Sequence, residues 1–281
     1  MKRSFLKKAG ALAVTLSMAV GLFAAPLPLQ AAGKTETVYV MTKLSTVAQT
    51  GDDTEPFNVD PTTYTYTNKG LLKTSVTPWS TIKYKYSGKK LVGSEGIPAE
   101  DMGTEEGNTF KYTYDSKNRM KTATFNSTFS DGTKISYVTT YKYDKNNNVK
   151  SKTTVYNGDD STPSTYYYSY NSKGQLIKET SSDSDLVKKY TYNNKGFVKK
   201  AVTTYTVDEK SEGFTENYTY TYTKQGNVKK CVKTIDYTDE TMSQIVNETT
   251  YTYKKLTVKK SLADTIKQQQ EKIYKDEIMT Y

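Results

Sequence analysis

The chain has no histidine and one cysteine, Cys231, so the usual general base near neutral pH and the commonest metal ligand are both missing. Cys231 could act as a nucleophile only with a lowered thiol pKa and access to solvent. Its neighbours Lys229, Lys230 and Lys233 alternate in direction along an ordinary strand, so an incidental structural thiol is expected. Carboxylates are the remaining resource. They come as Glu100 and Asp101, Glu105 and Glu106, Asp159 and Asp160, Asp183 and Asp185, Asp208 and Glu209, and Asp239 and Glu240. Two of them at the right separation could run a glycoside hydrolysis. All of them stand in polar connections, however, where such residues form turns. No loop has the Asp-x-Asp-x-Asp-Gly order with a closing Glu that suits calcium. The expectation is a non-enzymatic protein with no catalytic residues, no metal and no cofactor, and a carboxylate glycosidase is only a remote alternative.

Tyrosine, at 26 of 281 residues, is the other chemistry-bearing residue. An aromatic stripe can stack on sugar rings or anchor a protein partner. Tyr114, Tyr143, Tyr170, Tyr192 and Tyr222 are the candidate ligand-binding face, for a polysaccharide, a cell-wall polymer or a surface protein. The competing reading is that the same rings are the packing layer of the sheet, joined by cross-strand pairs. Trp79, the sole tryptophan, follows Pro78 in an irregular stretch, as an anchor or as a cover for the end of the sheet.

The tyrosines lie in a repeat. Tyr-x-Tyr pairs at 64/66, 84/86, 112/114, 141/143, 168/170, 190/192, 220/222 and 251/253 recur so that the second Tyr returns every 20 to 31 residues. Two Tyr separated by one residue share a strand face. A Gly or Asn follows at the position where positive φ is needed, as at Gly196 after Asn193-Asn194-Lys195, and an apolar residue such as Val198 opens the return strand. The fold expected is all-β: an antiparallel meander of about eight tandem hairpins, roughly sixteen strands, forming one long twisted or curved sheet. Lysines on the return strands, such as Lys199, Lys200, Lys229 and Lys230, would discourage edge pairing.

Around this domain, residues 64–260, lie three other segments. Residues 1–31 read as a signal peptide: Lys2, Arg3, Lys7 and Lys8 precede an apolar run, and Pro26, Pro28 and a small-residue cleavage site follow. Residues 32–63 read as an N-terminal strand over 37–44 and a polar linker. Residues 261–281 read as a tail whose Leu262, Ile266 and Ile273 share a helical face over 261–276, with Asp264 at capping-box distance. Losing the leader takes four positive charges from a formal net charge of +10 and leaves +6. That modest charge, the acidic loops and an extracellular address argue against nucleic acid and leave attraction to anionic wall polymers as the simpler account. The lone cysteine means that no internal disulfide staples the secreted fold.

At Tyr112-Thr-Tyr114-Asp115-Ser-Lys-Asn118-Arg119-Met120 and Tyr141-Lys-Tyr143-Asp144-Lys-Asn-Asn147 the chain resembles YD repeats, the units of Rhs and teneurin-type proteins. The resemblance implies a long curved antiparallel sheet, secretion or surface exposure, and in some members carbohydrate binding. The Asp after Tyr is Asn171, Asn193, Thr67 or Thr223 in other copies, and the Arg after the turn occurs only as Arg119. About sixteen strands are too few for the closed shell of the large members, and no toxin domain follows. An outer-membrane barrel, also an alternating meander, is disfavoured because Thr and Lys stand opposite Tyr where lipid would require apolar side chains. The expectation is a secreted or surface-associated protein that does not span the membrane once its leader is removed. It binds through the Tyr face, or alternatively serves as a structural or adhesive surface element.

Overall fold

The computed structural model describes residues 35–279 apart from 52–54, 100–106, 130, 158–161, 208 and 240. The proposed leader therefore lies outside the described residues, as do Glu100, Asp101, Glu105, Glu106, Asp159, Asp160, Asp208 and Glu240. Sixteen strands run in chain order: β1 (Thr35–Thr50), β2 (Phe57–Tyr66), β3 (Leu72–Val76), β4 (Ser80–Ser87), β5 (Lys90–Pro98), β6 (Asn108–Tyr114), β7 (Met120–Thr128) and β8 (Lys134–Tyr143). They continue with β9 (Val149–Tyr156), β10 (Ser164–Tyr170), β11 (Leu176–Ser181), β12 (Val187–Tyr192), β13 (Val198–Val207), β14 (Lys210–Tyr222), β15 (Val228–Tyr237) and β16 (Ile245–Lys259). A helix, α1 (Lys260–Met279), follows directly on β16.

Seven of the eight expected hairpins form, and for the expected reason. Asn118, Asn147, Gly70, Gly88, Gly174, Gly196 and Gly226 all have positive φ. Apart from the tighter Gly88 turn, where Ser87 pairs with Lys90, each of these turns is closed by a side-chain oxygen just past the second tyrosine. Asp144 accepts from the Asn146 and Asn148 N–H groups, both at 2.8 Å, and Asn193 accepts from those of Lys195 and Phe197, both at 3.0 Å. The Thr67 and Thr223 hydroxyls do the same for Leu71 and Asn227. Asp, Asn and Thr are thus interchangeable here because each brings an acceptor. A bulge follows in the return strand: Tyr192 pairs with Val198 while Thr191 pairs with Lys200, which leaves Lys199 extra.

The sheet is not open. The expectation of one long twisted or curved sheet is overturned by a strand order that closes into an antiparallel barrel, with β1 between β2 and β16. The physical cause is the eighth Tyr-x-Tyr copy. After Tyr253 come Lys254, Lys255, Leu256 and Thr257, with no Gly or Asn to take the left-handed conformation, so the chain cannot turn and runs on to Lys259. The return strand that is absent is supplied by β1. Thr46 shares a 2.9 Å hydroxyl hydrogen bond with Thr249, and the Thr42 hydroxyl donates to the Thr252 carbonyl at 3.3 Å. Sixteen strands are therefore enough for closure. The polar stretch expected as a linker over 45–62 instead holds the end of β1 and the start of β2.

The described residues fall into two compact units, one of 35–40, 64–135 and 254–279, the other of 41–63 and 136–253. In the first, α1 presents Leu262, Ala263, Ile266 and Ile273, all buried, together with Gln269 and Gln270. This single stripe at helical spacing packs on Val38, Val40, Leu71 and Val258. Its two glutamines bond inward: Gln269 accepts from the Leu72 N–H and donates to the Tyr86 hydroxyl, both at 3.1 Å, and Gln270 donates to the Tyr66 hydroxyl at 3.1 Å. The helix starts one residue earlier and ends later than the sequence suggests, and Ser261 lies inside it rather than capping it.

Gly70 and Gly88 allow this packing to be tested. Both have positive φ, but a Cβ on Gly70 would stand 2.7 Å from Ile266 Cδ1, whereas one on Gly88 would meet nothing within 4 Å. Gly88→Ala should cost about 1 kcal/mol, the backbone strain alone. Gly70→Ala should cost about 2–4 kcal/mol, because the α1 contact must also shift. Urea unfolding of the two variants checks the difference, and equal losses would mean that α1 does not seat on this turn.

Candidate functional site

Strand alternation sorts each unit into a tyrosine face and a threonine–lysine face, and the tyrosine face is the buried one. In β14, Glu216 and Tyr218 are buried and Phe214, Tyr220 and Tyr222 half-buried, while Thr219 and Thr221 between them are exposed. The Tyr ladder is therefore a packing layer first. Its rings touch along the sheet: Phe197 lies 5.3 Å from Tyr220 and 5.7 Å from Tyr222, centroid to centroid. Its hydroxyls tie one hairpin to the last. Tyr114 donates to the Leu91 carbonyl, Tyr192 to that of Leu176 at 2.6 Å, and Tyr253 to that of Val228 at 2.6 Å.

Of the five tyrosines read as a ligand face, Tyr114 belongs to the first unit and the other four to the second. All five are half-buried. Each sits at the bulge, opposite the first residue of its return strand: Tyr114 opposite Met120, Tyr143 opposite Val149, Tyr170 opposite Leu176, Tyr192 opposite Val198 and Tyr222 opposite Val228. Tyr143, Tyr170 and Tyr192 are near enough for the Tyr170 phenol to feel both others. The Tyr222 hydroxyl accepts from the Asn193 side chain at 3.2 Å. Burial pushes the Tyr192 hydroxyl up to about 12 and raises Tyr170 as well, with Asp144 and Glu179 adding to the effect. Trp79 is half-buried in the β3–β4 connection, and its carbonyl accepts from the Ala99 N–H at 2.9 Å.

The same buried face carries charges that the sequence reading missed. In the second unit Lys152, Glu179, Lys188, Glu216 and Lys233 all lie in phase with tyrosines. Lys152 pairs with Tyr141 and Tyr166, Glu179 with Tyr168 and Lys188, and Lys233 with Tyr218. Lys188 reaches Glu216 at 2.9 Å, and the Glu216 side chain is 0% exposed. Lys233 stands 3.8 Å from its other oxygen. The Tyr190 hydroxyl donates to Glu179 at 3.3 Å, and the Lys152 ammonium lies 4.8 Å from the Tyr166 ring centroid. Burial depresses Lys152, and Glu179 partly offsets this. The signal was present in the sequence: Glu216 precedes Tyr218 by two residues and Lys188 precedes Tyr190 by two, so parity alone puts them among the rings.

None of the other candidates gathers into a reaction centre. Asp183 and Asp239 serve their own turns, and Asp185 accepts from Thr206 of β13. The Asp183 carboxyl is lowered by the Ser181 hydroxyl, Asp185 by the Thr206 side chain and backbone N–H, and Asp239 by the Thr241 side chain and N–H. A general acid needs the opposite shift. Among the described residues no group of three or more His, Cys, Asp or Glu could hold a metal. Cys231 is buried opposite Tyr220, and burial raises its thiol to about 12 against the pull of the Tyr220 hydroxyl and Lys233.

No family model matches the chain, and no curated protein matches it. Among solved structures it is similar to a porin-like protein from Bacteroides uniformis, at 15% identity and a TM-score of 0.50, over 76% of this chain and 96% of that one. That likeness shows the fold. A porin-like protein from Bacteroides vulgatus matches at 13% identity and a TM-score of 0.38, over 76% and 98% of the two chains. The toxin complex TcdB2-TccC3 matches at 11% identity and 0.30 over 74% of this chain, which spans only 14% of the toxin chain.

Two outcomes test this description. Glu216→Gln removes the carboxylate that Lys188 and Lys233 share and should cost about 3–5 kcal/mol, whereas Lys188→Met should cost less because Lys233 remains beside Glu216. Chemical denaturation reads both, and a Glu216→Gln loss below about 1 kcal/mol would mean that the cluster is solvated. Cys231 should resist thiol reagents at about pH 8 in the native protein and react at once in denaturant. Fast native labelling would place the thiol outside the packed face.

Proposed function

We propose that the chain is a non-enzymatic bacterial β-barrel that works in water at or beyond the cell surface, as a structural or adhesive element. The observation that carries this reading is the make-up of the face opposite the tyrosines. On β13 it presents Lys200, Val202, Thr204 and Thr206, and on β14 Thr215, Asn217, Thr219 and Thr221. On β15 it presents Lys230, Val232, Thr234 and Asp236. Lys230 pairs there with Glu248 of β16. A lipid-facing wall needs an apolar band, and each lysine at the bilayer midplane would cost about 2–4 kcal/mol. No described helix is long and apolar enough to cross a membrane, which says nothing of strands. The argument against lipid therefore rests on the strand faces themselves.

The leader pattern at residues 1–31 supports the same reading, and the likeness to the porin-like fold supports a place at the bacterial surface. Glycan or protein capture on the tyrosine face is the weaker reading. It would require rings such as Tyr192, whose hydroxyl is held by the Leu176 carbonyl, to leave their packing partners.

Vesicle flotation checks the assignment. The chain without its leader, residues 32–281, mixed with vesicles of phosphatidylethanolamine and phosphatidylglycerol at high salt, should stay at the bottom of the gradient as a monodisperse folded protein. Flotation with release of an entrapped dye would overturn the water-facing reading in favour of a membrane pore.

A further inference from the structure

Because neighbouring strands are antiparallel, the Tyr-x-Tyr turns of each unit all lie along one edge of its sheet and the remaining connections along the other. The two edges differ in charge. In the second unit every charged residue in the non-turn connections is acidic, including Asp183 and Asp185 between β11 and β12, Glu209 between β13 and β14, and Asp239 between β15 and β16. The nearest lysine there is Lys210, the first residue of β14. The turn edge is the reverse. Lys145, Lys173, Lys195 and Lys224 stand one to each turn, and all are exposed. Behind them the bulge residue is Lys150, Lys199 or Lys229 in three of the four hairpins, and Ile177 in the fourth, again all exposed. The one carboxylate among these turns, Asp144, is occupied by its own turn.

Local structure explains only one of these edges. Asp is a turn-former, and the acidic connections need it: Asp239 accepts from the Thr241 N–H at 2.9 Å and Asp185 from that of Thr206 at 3.2 Å. Lysine brings no acceptor and no tolerance of positive φ. In these turns the acceptor is the Asp, Asn or Thr and the left-handed residue is Gly or Asn, so neither turn requirement calls for the lysine side chain. Its spacing is set by the sheet, one residue per two strands, or about 10 Å. One ammonium is also held in place: Lys195 Nζ sits 3.7 Å from the centroid of the Tyr222 ring in the next hairpin.

We propose that the turn edge of the second unit is a binding surface for a linear polyanion, a chain carrying phosphate or carboxylate at regular intervals, which lies across successive hairpins. The inference names a partner for the surface element proposed above and rests on that reading. The acidic edge orients the encounter by repelling the same ligand. Lysine suits repeated point-charge contact with either anion, and no bidentate geometry is required.

The test uses the chain without its leader, residues 32–281, with a glycerol-phosphate polymer and polygalacturonate as probes and dextran as the neutral control, across a salt series. Three variants are compared, each checked by circular dichroism: Lys145→Gln with Lys173→Gln, Lys195→Gln and Lys224→Gln; the same four as Lys→Arg; and a charge-matched control, Lys111→Gln with Lys134→Gln, Lys189→Gln and Lys210→Gln. The turn variant should bind at least about tenfold more weakly at low salt, and its log–log salt slope should flatten by about three, as expected for four lost ion contacts. The Arg variant should bind like the parent and the control within about twofold. Binding to one probe alone identifies the anion. Equal losses in the turn and control variants would overturn the surface in favour of diffuse net charge. Absence of binding to both probes would overturn it outright, while leaving the flotation result untouched.

Discussion

A hydrogen bond from a turn N–H to a side-chain oxygen one residue past the second tyrosine, made in six of the eight copies, is the interaction on which the rest of the barrel depends. It fixes where the chain reverses, and therefore where the bulge falls and which parity of the return strand joins the tyrosines. A slip of one residue would invert the whole face. Asp115 shows the bond at its strongest: its carboxylate accepts from the Lys117 and Arg119 N–H groups at 2.9 and 2.8 Å and pairs with the Arg119 guanidinium at 2.7 Å. Where the acceptor and the left-handed residue are both absent, after Tyr253, reversal stops. β16 then stays unpaired by its own continuation, which leaves its edge open to β1.

This shows how much could be read from the residues. Seven of the eight expected hairpins, their bulges and the helical stripe Leu262, Ile266 and Ile273 follow from local patterns, and the structure has them where the patterns put them, while the eighth copy runs on as one strand. Closure did not follow, because it joins β1 to β16, more than two hundred residues apart in sequence, and no local pattern encodes such a pairing. The clue was negative, a repeat without its turn residue. The face of the tyrosines was legible as a stripe, but its burial was not, since an open sheet and a closed one present the same alternation. The structure covers the aromatic face, with Tyr112, Tyr141, Tyr190 and Tyr218 buried, and that face has the most apolar surface to take out of water.

Covering that face brings a cost, because it carries Lys152, Glu179, Lys188, Glu216 and Lys233 along with the rings. Ion pairs taken out of water contribute little net stability, and apolar replacements often do as well. Their value lies in the alternatives they exclude. Glu216 on β14 lies between Lys188 on β12 and Lys233 on β15, so a two-residue slip of any of these strands, which keeps the same face inward, would move a charge away from its partner while it remained buried. The tyrosine ladder is repetitive and tolerates slippage. The charges are not repeated from hairpin to hairpin, and they distinguish one register from the next.

Closure also changes what the outer lysines must be for. On an open sheet, Lys199, Lys200, Lys229 and Lys230 would guard a free edge against pairing with another chain. A barrel has no free edge, so that explanation lapses for every strand in the closed order. Solubility asks only for charge of either sign, spread over the surface. Neither requirement places lysine in four successive turns of one edge while the opposite edge of the same unit carries only acids in its connections. The segregation is tied to the direction of the strands, because antiparallel pairing sends the turn of every Tyr-x-Tyr unit to the same side. A single repeated motif with lysine in its turn therefore builds a continuous basic edge automatically, at a spacing the hydrogen-bond ladder fixes.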